Sequence, residues 1–252
     1  MTKVFLVGSG PGDPELLTLK AQRLLQSAEV VLHDSLVDAR ILEMAAARAR
    51  LIDVGKRCGR ASAAQAEICR LLVEEARNGH IVVRLKGGDP MVFGRATEEM
   101  AALRAYNIAF EVIPGVTAAT AAAAALSLSL TRRRIARSLH FLTGHGAENG
   151  LPAHDWVSLA KSGGTLVVYM GGQTLPGLAT HFIEAGMSPD MPAVAIENAS
   201  LPAQRVFKGG LASLPGIVSA AAPQGPVLVM IGPALAEEDL LEDALAEARE
   251  RL

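Results

Sequence analysis

Five short apolar runs, at residues 4–7, 30–32, 51–54, 80–85 and 110–113, alternate with stretches of helical periodicity in the first half of the chain. Strands separated by helices pair as a parallel sheet covered by those helices, so this alternation predicts an α/β unit. The ends of the runs are unusual. They stop at Gly8-Ser9-Gly10-Pro11-Gly12-Asp13-Pro14, His33-Asp34, Gly55-Lys56-Arg57, Gly87-Gly88-Asp89-Pro90 and Pro114-Gly115-Val116-Thr117-Ala118. In such sheets ligands bind outside the carboxyl ends of the strands. Five loops rich in glycine, proline or charge share one rim, and a ligand cleft is expected there.

Local signals set the helices between the runs. Asp13 and Pro14 make an N-cap and first-turn pair for a helix carrying Leu16, Leu17, Leu24 and Leu25. A helix is expected over 41–47. Ser62 with Gln65 resembles a capping box, followed by Ile68, Leu71, Leu72 and Ala76 on one face and a C-terminus at Asn78-Gly79. Further helices are expected over 98–106 and through the alanine-rich 118–125. A second series of strands follows at 138–142, 165–169, 192–196, 205–207 and 226–231, with a helix over 175–185. A last helix over 235–252 carries Leu240, Leu241, Ala244, Leu245 and Ala248 on its apolar side. The expected division is an N-terminal α/β domain over 1–117 and a C-terminal α/β domain over 118–252.

Composition narrows the class. With 252 residues the chain has length for one large or two modest domains. Half of it is hydrophobic, yet no apolar run approaches the ~18 residues needed to span a bilayer. The N-terminus opens on a strand pattern without a signal peptide's basic and apolar regions, so a cytoplasmic protein is expected. Cys58 and Cys69 lie eleven apart without histidines at ligand spacing, which gives neither a disulfide framework nor a zinc site, and no metal is expected. A net charge of −2 and 4% aromatic residues disfavour a nucleic-acid partner.

The glycine-rich loops suggest chemistry without specifying it. The first reads G-x-G-x-G rather than the dinucleotide fingerprint G-x-G-x-x-G, and Pro11 removes an N–H that a phosphate cradle would use. Gly87 and Gly88 allow close backbone approach to a ligand, and Pro90 biases Asp89 toward an extended conformation. Asp34 suits either a helix cap or an acid in the cleft. Lys56 suits a solvated lysine, Thr117-Ala118 a turn and cap, and His145 a loop position. Arg132, Arg133, Arg134 and Arg137 crowd into six residues. They form either an exposed basic face or a site for a substrate with several carboxylates, which arginine binds in bidentate fashion.

Taken together, these segments resemble a known family. Val7-Gly8-Ser9-Gly10-Pro11-Gly12-Asp13-Pro14 with Leu16-Leu17-Thr18-Leu19-Lys20 resembles the N-terminal signature of the tetrapyrrole methylases. Val54-Gly55-Lys56-Arg57, residues 84–95, residues 113–119, Leu142-Thr143-Gly144-His145, Val168-Tyr169-Met170-Gly171 and Glu197-Asn198 are similar to the uroporphyrinogen-III C-methyltransferase branch. The resemblance implies two α/β domains with the active-site cleft between them, S-adenosylmethionine as cofactor and S-adenosylhomocysteine as product, and a homodimer. It implies methylation of uroporphyrinogen III at C2 and C7 to give precorrin-2, which feeds siroheme or cobalamin synthesis. By the same carry-over Pro11, Gly87, Gly88, Asp89, Val92, Thr117, Ala118, Met170 and Ala199 contact the cofactor. Asp34 is the proton acceptor and Lys56 a proton donor, and Arg132 and Arg133 are the natural partners of the substrate's carboxylates.

The chain departs from the family pattern at several positions. His33 replaces a tyrosine, Met91 a phenylalanine, Ala96-Thr97 two glycines, Arg132 a histidine and Ala199 a glycine. The last change is compatible with cofactor contact if φ at Ala199 is negative. Methylation of a later corrin precursor is the alternative that Lys56 and the complete 86–95 segment oppose. A non-catalytic cofactor- or tetrapyrrole-binding protein is the alternative that Met91 and Arg132 motivate.

Overall fold

The computed structural model describes residues 3–55, 61–146 and 150–236. Lys56, the Ser62 side chain and the expected helix from residue 237 onward lie outside what it describes. The chain divides into two compact units, Met1–Ala118 and Ala119–Leu252.

The first unit is built on five parallel strands, β1 (Lys3–Gly8), β2 (Val30–His33), β3 (Arg50–Asp53), β4 (Val82–Lys86) and β5 (Ala109–Ile113). Their order is β3-β2-β4-β1-β5. The inner strands β2 and β4 are buried at every residue, as expected where helices cover both faces. Alternate residues serve opposite faces. Val4, Leu6, Val30, Leu32 and Val82 pack with Ile68, Leu72 and Val73 of α3 (Ala61–Arg77) and with Met100 and Leu103 of α4 (Ala96–Ala105). Val7, Val31, Val83 and Leu85 pack with Ala21 and Leu25 of α1 (Leu19–Ser27) and with Ile41 of α2 (Ala39–Leu42).

Three local expectations are corrected. The helix expected from Pro14 is interrupted. Asp13 caps only a short 3-10 turn, Pro14–Leu16, and Leu17 is extended. Thr18 then starts α1 afresh by accepting the Ala21 N–H at 3.2 Å. A hydroxyl after an extended residue is a stronger start signal than the periodicity that runs across it. The helix expected over 41–47 begins earlier and is shorter, because Asp38 accepts the Arg40 N–H at 2.9 Å and caps α2. Gln65 does not complete a capping box: it is buried and its amide reaches Glu99 Oε1 at 3.4 Å.

The alanine-rich helix α5 (Ala118–Leu126) has its first residue in the first unit and the rest in the second. The sheet of the second unit comprises β6 (Leu139–Thr143), β7 (Thr165–Tyr169), β8 (Pro192–Glu197), β9 (Arg205–Gly210) and β10 (Val227–Ile231), in the order β6-β7-β10-β8-β9. Only β6 and β7 are parallel; the other neighbours are antiparallel. The short connection from β8 to β9 permits antiparallel pairing, whereas the β6–β7 crossover carries α6 (Trp156–Lys161). Phe182 of α7 (Leu175–Glu184) is fully buried and meets the Trp156 ring edge-on at 5.1 Å, and α8 (Leu214–Ala221) contributes Leu214 and Val218 to the same core. Among the described residues no helix is long and apolar enough to cross a membrane.

Glu197, at the end of β8, ties three segments together. Its side chain is 2% exposed. One oxygen accepts Arg205 Nε at 2.5 Å, and the other accepts the Gln224 and Gly225 N–H groups, each at 2.6 Å. The Arg205 guanidinium, reinforced by the backbone donors, holds this carboxyl below the usual carboxylate range. A lowered folded-state value contributes stability above the unfolded-state value of about 4.3 and loses it as pH falls through the folded one. Glu197→Gln is expected to be less stable than the parent at pH 7 in urea unfolding, with the difference shrinking below about pH 4. An equal difference at both pH values would contradict this.

Candidate active site

Glycine backbones join the rim of the first sheet. Beyond β1 and β4 the chain continues to pair: the Ser9 N–H donates to the Lys86 carbonyl at 2.8 Å, and Gly10 and Gly88 exchange N–H···O bonds of 3.2 and 2.7 Å. Gly10 and Gly88 have φ of 72° and 66°, a region that favours glycine. A Cβ on Gly8 would sit 2.6 Å from both the Gly115 nitrogen and the Gly88 carbonyl oxygen. One on Gly115 would overlap the Gly88 carbonyl and lie 2.9 Å from Gly8 Cα. The loops after β1, β4 and β5 are thus in backbone contact.

Asp89 locks this arrangement. One carboxylate oxygen accepts the Met91 N–H at 2.8 Å and the other the Gly115 N–H at 3.0 Å. The side chain therefore braces the β4 and β5 loops. Farther along the loop Val92 is half-buried, and Phe93 and Arg95 adopt left-handed backbone at φ 51° and 54°. Two non-glycine residues in that region mark stored strain. Pro11, Gly87, Gly88, Asp89 and Val92 all lie in loops at the carboxyl ends of β1 and β4, and Thr117 and Ala118 follow β5 at the start of α5. The position where a Gly88 Cβ would point has no atom within 4 Å.

Asp34 follows β2 on the same rim. It does not cap the next helix, since Asp38 does that. Its N–H donates to the Leu85 carbonyl at 3.3 Å, and its carboxylate pairs with Arg84. Arg84 lies mid-strand in β4 and is 2% exposed. Arg84 Nε donates to Glu99 at 3.0 Å, and Lys86 Nζ reaches the same Glu99 oxygen at 2.9 Å. Glu99 is fully buried. Burial pushes the Lys86 ammonium below the usual lysine range, assisted by the nearby Arg84 charge and opposed by Glu99.

This buried network escaped the sequence reading. Two signals carry it. Arg84 and Lys86 share a strand face with Val82 in a run otherwise apolar, and Glu99 falls on the stripe of α4 that buries Ala96, Met100 and Leu103.

In the second unit Met170, directly after β7, is 51% exposed and has a left-handed φ of 56°. Ala199 is flanked by Asn198 and Ser200 at φ 52° and 69°, but is itself absent from the left-handed region, so replacement of the family's glycine introduces no backbone strain there. The arginine cluster lies on a tight turn in which Arg132 and Ala136 exchange N–H···O bonds of 2.9 Å. Arg133, Arg134 and Arg137 are exposed and Arg132 is half-buried. His145 sits in a loop, its N–H donating to Thr143 Oγ1 at 3.2 Å. Lys56 lies outside the described residues.

Residues 3–215 match the family model for tetrapyrrole (corrin/porphyrin) methylases. A chloroplastic S-adenosyl-L-methionine-dependent uroporphyrinogen III methyltransferase of Arabidopsis thaliana is 48% identical over 91% of this chain and 62% of its own length. This chain thus spans less than two thirds of that relative. An enzyme of the same description from Methanosarcina barkeri is 44% identical over 95% of this chain and 94% of its own. The solved structure of a uroporphyrin-III C-methyltransferase from Thermus thermophilus, complexed with S-adenosylhomocysteine, superposes with a TM-score of 0.79 at 40% identity, covering 92% of this chain and 98% of that one.

The glycine contacts predict a steric cost. Gly115→Ala is expected to lower stability by about 1–3 kcal/mol, because the added methyl must push apart backbone rather than a side chain. Urea unfolding measures this, and a variant within about 0.3 kcal/mol of the parent would show that the loops separate freely.

Proposed function

The chain belongs to the tetrapyrrole methylases, and on that premise we propose that it methylates uroporphyrinogen III at C2 and C7, giving precorrin-2 and two S-adenosylhomocysteines. The observation that carries this is the match along nearly the whole length of the Methanosarcina barkeri relative, which is named an S-adenosyl-L-methionine-dependent uroporphyrinogen III methyltransferase. The positions C2 and C7 and the product follow from the family resemblance.

The residues present fit the cofactor. Gly88 offers backbone with open space beside it, and Ala199 keeps backbone groups available without a left-handed φ. By the family resemblance Pro11, Gly87, Gly88, Asp89, Val92, Thr117, Ala118, Met170 and Ala199 are assigned to contact S-adenosylmethionine. Asp89 contributes backbone, because both its carboxylate oxygens already accept loop N–H groups. The bound cofactor supplies a methyl group made electrophilic by its sulfonium.

Asp34 does the acid–base work. Carbon–carbon bond formation at a pyrrole carbon leaves positive charge on the macrocycle, and removal of a ring proton discharges it. A half-exposed carboxylate on the rim is suited to take that proton. Lys56 is assigned the proton donor's part by resemblance alone. Arg132 and Arg133 meet substrate carboxylates as bidentate donors. A cytoplasmic homodimer is the expected form.

Incubation with S-adenosylmethionine and enzymatically generated uroporphyrinogen III is expected to yield a product heavier by two methyl groups. No mass gain with S-adenosylhomocysteine demonstrably bound would refute the assignment. Asp34→Ala is expected to slow transfer roughly 10²- to 10⁴-fold while leaving S-adenosylhomocysteine affinity intact, which separates an enzyme from a non-catalytic binder.

A further inference from the structure

We propose that Arg84 is a positioning residue for Asp34, fixing its carboxylate toward the substrate, and that Glu99 and Lys86 hold Arg84 in that orientation. The inference rests on the assignment of Asp34 as proton acceptor.

Arg84 is among the largest fully buried side chains of the protein. A guanidinium is a planar fork whose donors point in fixed directions. Here Nη2 meets Asp34, Nε meets Glu99 at 3.0 Å, and Nη1 lies 3.4 and 3.2 Å from the Leu32 and Leu85 carbonyl oxygens. Glu99 Oε1 also accepts Lys86 Nζ and Gln65 Nε2. Two cations thus face two carboxylates. Glu99, Arg84 and Lys86 have side chains 0%, 2% and 4% exposed, whereas Asp34 is 30% exposed. The network is sealed except at one carboxylate, and that one stands on the ligand-binding rim.

Stability alone is a poor reason for such a network. Apolar side chains of similar volume often match or exceed a buried ion pair in stability. A loop aspartate at a reaction centre has a different need: its carboxylate must stay in one place. Small misplacements of a reacting group cost rate out of proportion to their size. A rigid fork anchored on Glu99 supplies that placement.

The test uses the full chain, with Arg84→Met, Arg84→Lys, Asp34→Asn and the Arg84→Met/Asp34→Asn double variant. Methyl transfer is followed by mass in single turnovers, which register slow residual rates, and S-adenosylhomocysteine affinity is measured by calorimetry. Arg84→Met is expected to lower kcat roughly 30- to 100-fold with KM and cofactor affinity little changed, and Arg84→Lys to fall between it and the parent. Because Arg84 acts through Asp34, the double variant is expected to be no slower than Asp34→Asn. A kcat for Arg84→Met within roughly threefold of the parent overturns the proposal, as does parallel loss of cofactor affinity or a double variant slowed by the product of the single effects. If Arg84→Met does not fold, Arg84→Lys is judged by the same criteria. An Asp34→Asn variant with parental kcat refutes the base assignment itself, whereas an inactive Asp34→Asn beside an unaffected Arg84→Met refutes only the positioning.

Discussion

A guanidinium inside a parallel sheet must be matched on every side, and the matching of Arg84 orders much of the first unit. Its strand, β4, is buried at all five residues, so solvent offers no hydration. Unpaired, such a charge would cost several kcal/mol. Glu99 answers from α4, Asp34 from the end of β2, and carbonyls of Leu32 and Leu85 from the sheet itself. These bonds link the central strand to its neighbour and to the helix above. Lys86, on the same strand face, shares Glu99 and sits beneath the turn at Gly94, where a Cβ would come within 3.2 Å of Lys86 Cε. The charged interior is thus connected to the loop that carries four of the nine proposed cofactor contacts, Gly87, Gly88, Asp89 and Val92.

The loops themselves follow another rule. Parallel strands end side by side, and their connecting segments must diverge toward helices on either face. Here the segments after β1 and β4 instead stay paired for two further residues, as the Gly10–Gly88 bridge shows. A side chain at Gly8 or Gly115 would prevent that approach, and Asp89 adds a bond to the Gly115 N–H after β5 while its other oxygen holds the Met91 N–H of its own loop. The result is a rigid rim with exposed backbone and open space beside Gly88. Rigid first contacts suit a reaction whose demands are alignment and removal of one proton.

The second unit is held together by different means. Its sheet is mixed, its core is apolar, and among the described residues its buried carboxylate Glu197 bonds a neighbouring strand and a turn. Left-handed backbone at Met170, Asn198 and Ser200 marks the loops where strain is kept. Such strain persists only where the surrounding packing over-determines it, and β7 and β8 beneath these loops are nearly all buried.

By itself the sequence determined the strand succession, the alternation with helices and the five unusual strand ends, because apolar periodicity, glycine and proline act over a few residues. It also supplied the family motifs on which Asp34, the glycine loops and Ala199 were singled out. Among the described residues local signals misjudged starts and stops, as at Thr18 and Asp38, where a capping side chain outweighed periodicity. Tertiary structure alone decided what those residues face. Asp34 became the open end of a buried ion-pair network because Arg84, fifty residues later, lies beside it in the sheet, and because Glu99 approaches from a covering helix. Asp89 became a brace because β5 lies next to β1. Ala199 became compatible with its loop because its neighbours take the left-handed turns. Pairing between distant strands sets these relations, and short-range patterns carry no record of which strands will be neighbours.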